Sequence, residues 1–356
     1  MTVVPLARAL DLLGEWDALH AATGGSPFMS AAWHAGWVAS GEGKAADDSG
    51  VLVQRSGAGA VEALFPFSIR RVRYRRVPFR TLTWAIGDTS APDHLDVLAV
   101  PGADLAPLAR RVFGLPWKVI HLGALADPAP AARRLADELV ALGCHAEYRS
   151  DHRCPYIELP ASWEGFLRGM SSARRETIRR KERALFKRGQ VEVEQVPPER
   201  FEEGWDTLVS LHEQRWGRGG VLSGPNRVAQ HRPMVTHEGA AWETWLSILR
   251  VDGRPVAAWY GFASHGTVSY YQGGRDLAWG RDSVGQVLMG IMIRRAIERG
   301  FRRFDFMRGE ESYKYTWTEA VAVTQVLEVV RPGLTHLARR TLDRLAAIQA
   351  KRRATR

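Results

Sequence analysis

The sequence predicts an α/β (α+β) chain of two tandem units, each a mixed, mostly antiparallel sheet flanked by helices. Three observations carry this. Residues 51–67, VLVQRSGAGAVEALFPF, and 246–262, LSILRVDGRPVAAWYGF, share one design. Each runs an apolar strand into a glycine-containing turn and out into a second apolar strand, the pattern of a β-hairpin. Each hairpin follows a tryptophan-containing helical segment, SPFMSAAWHAGWVAS (26–40) or WDTLVSLHEQRWGRGG (205–220). Each is followed by a helix and a strand, ADLAPLARRVFG with WKVIHL in the first copy and VGQVLMGIMIRRAIERG with RRFDFM in the second. Strands and helices alternating in this way pack as layers. The repeated order is that of a duplicated unit with its boundary near 155, giving a first unit over 1–155, a second over 156–331 and a tail over 332–356.

Beyond the first hairpin, RRVRYRRVPFR (70–80) holds six arginines and no acid, and reads as an exposed loop or strand end. SSARRETIRRKERALFKR (171–188) holds eight basic residues and two acidic ones. Ser171 or Ser172 caps a helix there and Gly189 ends it. Only Ile178, Leu185 and a few neighbours can face a core, so this helix presents either a solvated face or a surface for a polyanion. The 284–300 segment places Leu288, Met289, Met292, Ile293, Ala296 and Ile297 on one helical face and Arg294, Arg295, Glu298 and Arg299 on the other. Gly300 takes the position after the helix end, and a strand over 302–307 follows. In the tail, Pro332 and Gly333 break the preceding strand. Leu334, Leu337, Ala338, Leu342, Leu345 and Ile348 then form an apolar stripe on a basic helix, which packs on its parent unit or makes peripheral contact with an anionic membrane.

Totals narrow the function. The 356 residues carry 49 Lys and Arg against 39 Asp and Glu, a net charge of +10, and 13 tryptophans. The positive balance is mostly arginine, whose fork suits phosphate and carboxylate partners. Cys144 and Cys154 make no paired-thiol metal motif and no disulfide framework, so free thiols in a reducing compartment are expected. The N-terminus lacks the features of a signal peptide, and no run approaches 18 apolar residues. The expected location is cytoplasmic. No G-x-G-x-x-G follows a strand, no Walker loop occurs, and no histidine has metal-ligand spacing, so no metal is assigned.

Two stretches concentrate chemistry. In VSYYQGG (268–274) followed by GRDSVGQVL (280–288), a strand enters a basic, glycine-containing loop that opens the 284–300 helix. The first amides of a helix have no intrahelical partner and, with the helix dipole, form an anion site. Arg281, Ser283, Val284, Gly285 and Gln286 are therefore candidates to hold a pyrophosphate. The other stretch is FDFMRGEESYKYTW (304–317), a strand exit dense in ionisable groups.

A strand, a basic glycine loop opening a helix, and a short strand with reactive groups beyond it resemble the core of the GNAT acyl-CoA N-acyltransferases. The usual GNAT loop is R/Q-x-x-G-x-G/A, and Arg281-Asp-Ser-Val-Gly285-Gln286 departs from it at both glycine positions. With SSARRETIRRKERAL and DFMRGEESYKYTW, the chain is more similar to the BioF2-like, cellulose-biosynthesis acetyltransferase branch. That branch is related to the Fem peptidyltransferases, which have two GNAT-like domains in one chain. The resemblance covers residues 150–320, with 25–150 as a divergent first copy.

The resemblance implies tandem GNAT-like domains, an acyl-CoA donor, acetyl-CoA or longer, and a small-molecule or glycan amine as acceptor. Acyl transfer to an amine needs a neutral amine, a stabilised oxyanion and a protonated leaving group. Glu311 or Asp305 is the candidate base, Tyr313 the candidate acid, and Arg308 and Lys314 candidate contacts to anionic parts of the substrates. His212, Arg215 and Trp216 fall in the region that GNAT-like folds place over the acceptor. The first copy has no basic glycine loop before its helix (VPGADLAPLARR), so it is expected to shape the acceptor side without a donor of its own. Two alternatives stay open: a Fem-like transferase taking an aminoacyl group from tRNA, and a degenerate GNAT-like binding module.

Overall fold

Asp252 and Gly253 both take positive φ, 49° and 76°, and so make the tight turn whose twist matches that of the strands it joins. A looser turn, closed by the Ser56 amide donating to the Ala60 carbonyl at 2.8 Å, makes the other hairpin. The computed structural model describes residues 2–41, 48–74, 77–217, 220–224, 226–237 and 241–333. All but the first two residues of the tail expected as a basic helix lie outside the described residues.

The first half runs β1 (Thr2–Pro5), α1 (Leu13–Thr23), α2 (Ala31–Ala39), β2 (Asp48–Arg55), β3 (Val61–Tyr74), β4 (Val77–Trp84), β5 (Leu98–Ala99), α3 (Ala106–Gly114), β6 (Val119–Leu125), α4 (Pro130–Ala141) and β7 (His145–Glu158). The second half runs α5 (Trp163–Arg168), α6 (Ser172–Phe186), β8 (Val191–Gln195), α7 (Phe201–Trp216), α8 (Arg227–Thr236), β9 (Glu243–Val251), β10 (Arg254–Ser264), β11 (Thr267–Arg275), α9 (Val284–Glu298), β12 (Arg303–Asp305) and β13 (Val321–Val330).

The halves pair their strands alike. In the first, β1 to β4 are joined antiparallel and β4 pairs β6 in parallel. In the second, β8 to β11 are joined antiparallel and β11 pairs β12 in parallel. The two hairpins thus hold equivalent places. The closing strands are exchanged: β13 pairs β6, β7 pairs β12, and β7 and β13 pair each other along their length. One sheet therefore runs β1-β2-β3-β4-β6-β13-β7-β12-β11-β10-β9-β8, with β5 beside β3. The expected boundary at 155 falls inside the single strand β7. The arginine run at 70–80 belongs to the ends of β3 and β4, with Arg71 opposite Arg80, so most of it is paired strand rather than loop. Arg71, Arg73 and Arg80 of this run are exposed. Four helices not anticipated from the sequence, α1, α4, α5 and α8, are also present.

The apolar face read for α9 is the buried one: Leu288, Met289, Met292, Ile293, Ala296 and Ile297 all pack in one core with Phe304, Phe306 and Trp317. α6 follows its caps, with the Ser171 hydroxyl accepting from the Arg174 amide at 3.3 Å. Between the halves, α2 crosses α8 at very short range. A Cβ built on Gly36 would lie 1.8 Å from the Gln230 carbonyl oxygen, a contact no side chain can accommodate without moving backbone. Gly36→Ala is expected to destabilise the fold by about 3 kcal/mol, the upper part of the range for overpacking. Denaturant midpoints of the two proteins measure this, and equal midpoints would show that the helices can part freely.

Candidate active site

The parallel pairing of β11 with β12 lasts three residues, from Thr267 opposite Arg303 to Ser269 opposite Asp305. Past it the chains diverge. The Phe306 amide donates to the Pro155 carbonyl at 2.9 Å and the Gly309 amide to the Arg153 carbonyl at 3.1 Å, so this segment follows β7. β11 continues beneath α7, where a Cβ on Gly274 would meet the His212 backbone nitrogen at 2.3 Å. The divergence opens a cleft of about 230 Å³. Its walls are Tyr270, Gly273, Gly274 and Arg275 of β11, Gly280, Ser283, Gly285 and Gln286 at the start of α9, and Arg215 and Tyr313. A smaller cavity of about 60 Å³ shares Arg215, Tyr270, Gly273 and Tyr313 with it and extends to Trp216, Glu311 and Asp93. Tyr313 therefore stands on the wall common to both spaces.

At the start of α9, Ser283 takes the left-handed conformation (φ 56°, ψ 32°) and its side chain caps nothing. The Gln286 amide is already bonded to the Ser283 carbonyl at 2.8 Å, which leaves Val284 and Gly285 to offer the free first-turn amides. The Val284 side chain is buried in the core. The Gln286 amide oxygen accepts from Lys181 of α6, whose pKa is lowered by burial and by neighbouring Arg180. Arg281, expected on the donor's phosphates, sits on the exposed segment Leu277–Asp282 and is not among the residues that wall the cleft. Arg275 is, because it ends β11 and its side chain shares the cleft wall with the α9 start. The equivalent helix of the first half, α3, is closed by its own acid: Asp104 Oδ1 accepts from the Ala106 amide at 2.9 Å.

The Tyr313 hydroxyl shares a hydrogen bond with that of Tyr270. Burial raises the Tyr313 pKa well above 10, with Tyr270 and the Glu311 carboxylate adding to the effect. Arg215 lies 5.1 Å over the Tyr313 ring and 4.5 Å over that of Trp216. Glu311 lines the smaller cavity with its Oε2 3.0 Å from Lys314 Nζ.

The remaining candidates fall elsewhere. Asp305 does not join Tyr313 and Glu311. Phe304 and Phe306 pack against α9, so strand alternation turns Asp305 to the opposite face. There its carboxylate lies 3.2 Å from His94 Nε2 and accepts from the Met307 amide at 2.7 Å. Despite full burial its pKa is lowered, by His94 first and then Arg303. Arg308 is engaged internally. Its backbone amide and Nε donate to Asp93 at 2.8 and 2.9 Å, and its Nη atoms to Asp88 and the Pro92 carbonyl. Lys314 is 3% exposed and donates to the carbonyls of Met307, Arg308 and Gly309, tying off the loop it was expected to present to substrate. His212 is buried, with Nδ1 3.1 Å from the Gly273 carbonyl oxygen, and burial lowers its pKa. Of the acceptor-side trio, Arg215 and Trp216 reach the cavities. Sequence reasoning missed Tyr270 and Arg275, although both lie in or beside the stretch VSYYQGG that drew notice. Among the described residues no His, Cys, Asp and Glu group could hold a metal ion, and no helix is long and apolar enough to cross a membrane.

The sequence profile of the acetyltransferase (GNAT) domain matches residues 172–315, a span that holds α6, β11, α9 and the 304–315 loop. No curated protein sequence matches the chain significantly. Among solved structures, the C-terminal domain (DUF2156) of a putative lysylphosphatidylglycerol synthetase from Agrobacterium fabrum shares the fold over 96% of both chains, with a TM-score of 0.56 at 12% identity. FemX shares it over 88% of this chain and 95% of its own, with a TM-score of 0.57 at 10% identity. A conserved protein of unknown function from Bacteroides thetaiotaomicron VPI-5482 does so over 90% and 97%, with a TM-score of 0.57 at 13% identity. Residues 172–315 thus carry a match to the acetyltransferase (GNAT) domain, within a fold that the chain shares with FemX over most of its length.

Proposed function

We propose that the protein transfers an acyl group from an acyl-CoA to an amine. The observation that carries this reading is the position of Tyr313, on the wall shared by a cleft at a helix N-terminus and a smaller polar cavity. The cleft would take the donor, whose thioester supplies the acyl carbon. The amides of Val284 and Gly285, with Arg275 and Lys181, would hold its phosphates. Glu311 accepts a proton from the attacking amine as the C–N bond forms. Tyr313 gives its proton to the departing sulfur as the C–S bond breaks, and Tyr270 holds the Tyr313 hydroxyl in place. Asp104, which blocks the equivalent helix start in the first half, supports a single donor site. The acceptor, a small-molecule or glycan amine, would enter past Arg215 and Trp216, and we assign the reaction to the cytoplasm.

A second reading is an aminoacyl group delivered on tRNA. It is favoured by α6, which packs on α9 and sets Lys181 against Gln286 of the cleft wall, with Arg188 just past its end paired to Asp282. Calorimetric titration of the full chain with acetyl-CoA tests the first reading. Saturable binding is expected, weakened about tenfold by Arg275→Ala, as for loss of one charge-assisted contact. Arg281→Ala should change it little. Absence of acetyl-CoA binding combined with saturable binding of aminoacylated tRNA would replace the first reading with the second.

A further inference from the structure

On the face of β11 and β12 away from α9 lies a larger cavity, about 460 Å³, which acyl transfer at Tyr313 does not use. That volume is within the range of small-molecule sites. Both halves build it. The turn at 24–28, His94 and Asp127 come from the first, and His265, Ser269, Arg303 and Asp305 from the second, with Tyr156 of β7 between them.

Arg303 is the group in this cavity equipped for a ligand. Its guanidinium lies 3.6 Å from the centroid of the Tyr156 ring, and stacking of that kind fixes the plane of the fork while leaving its in-plane donors open. The nearest carboxylates are Asp305, 3.6 Å from Nε, and Glu158, 3.8 Å from Nη1, both beyond hydrogen-bond distance. Asp305 is held more closely by His94. His94 takes positive φ, 55°, and His265, at 48°, is the first residue of the two-residue turn that joins β10 to β11; both line this cavity. Pro27, Phe28 and Ala322 supply apolar wall beside these polar groups.

We propose that this cavity is a second ligand site, in which the Arg303 fork receives the oxyanion of a small molecule, a carboxylate or a phosphate. The body of the ligand lies along Phe28 and Ala322, so that both halves contact one molecule. The site is separate from the donor cleft, and its test reads binding rather than acyl transfer, so it stands or falls independently of the reading at Tyr313.

The experiment is calorimetric titration of the full chain with succinate and with inorganic phosphate, in the presence of saturating acetyl-CoA to keep phosphate out of the donor cleft. At least one probe is expected to bind saturably at one site. Succinate alone marks a carboxylate site, phosphate alone a phosphate site, and both an oxyanion site of broader taste. Arg303→Gln should weaken that binding at least tenfold. Arg303→Lys keeps the charge but loses the planar fork, and should also weaken it, with melting curves showing both variants folded. No saturable binding of either probe, or binding that Arg303→Gln leaves unchanged, overturns the proposal.

Discussion

Lowering the pH from 7 to 5 is expected to remove about 5 kcal/mol of stability through three buried histidines. His20, His34 and His231 are each at most 1% exposed. Burial depresses the first two to a pKa of about 4 and His231 to about 3. Burial keeps each neutral: His20 and His34 each lie 2.8 Å from a carbonyl, of Ser26 and Ser30, which favours the proton but does not outweigh the desolvation, and His231 lies 3.0 Å from the Tyr260 hydroxyl. The unfolded chain protonates them near 6.5. Between about 6.5 and 4 the unfolded state therefore binds more protons than the native one, and stability falls as pH falls. At pH 5 each histidine costs about 2 kcal/mol, and the three together are comparable with the whole stability of many domains. The sum includes the inter-half core, where Trp33 meets His231 edge-on at 5.1 Å. Urea midpoints at pH 7 and 5 measure the effect, and a midpoint that stays constant across this interval would show that these rings are accessible to protons in the native state.

Tyr313→Phe is expected to lower kcat by roughly 10²–10⁴, the usual span for loss of a general acid, with little change in melting temperature because the ring and its contact with Arg215 remain. Since burial lifts the Tyr313 pKa well above 10, the hydroxyl keeps its proton at every pH where the amine acceptor becomes neutral. The wild-type profile of kcat/KM should therefore rise with pH and stay high at pH 10 instead of turning down near the ordinary phenol pKa. Under the proposed mechanism Tyr270→Phe should lower kcat less, since Tyr270 would orient the acid without itself supplying the proton. Near-wild-type turnover in Tyr313→Phe with a competent amine would assign the loop a structural role.

Local periodicity made much of this molecule legible. The α9 face follows from residues three and four apart, and the hairpins from alternation around Asp252-Gly253 and the 56–60 turn. The position of Asp305 was available in the same way. Two phenylalanines flanking it must share a face, so it has to point away from them, and grouping it with Glu311 and Tyr313 by proximity in sequence set that period aside. Other features depend on partners far along the chain. The carboxylate that holds Arg308 is 215 residues away, and nothing near Arg308 signals that its donors are taken. Tyr270 was recognisable as a strand residue, yet only the loss of pairing after Ser269 makes it part of a cleft wall. α8 escaped notice because Pro233 interrupts it and its polarity shows little helical period.

The exchange of closing strands has a consequence for how the chain is made. A nascent polypeptide emerges from its N-terminus, and by the time β7 has left the ribosome every residue of the first half is available. The slot between β6 and β7 nevertheless stays empty until β13, ending at Val330, is synthesised about 170 residues later, or some ten to thirty seconds at ordinary elongation rates. For that interval both β6 and β7 present unpaired edges, the kind of surface that recruits other chains. The first half cannot settle into its native sheet ahead of the second, so the two are expected to reach the folded state together and to appear in a denaturation experiment as one transition despite their internal symmetry.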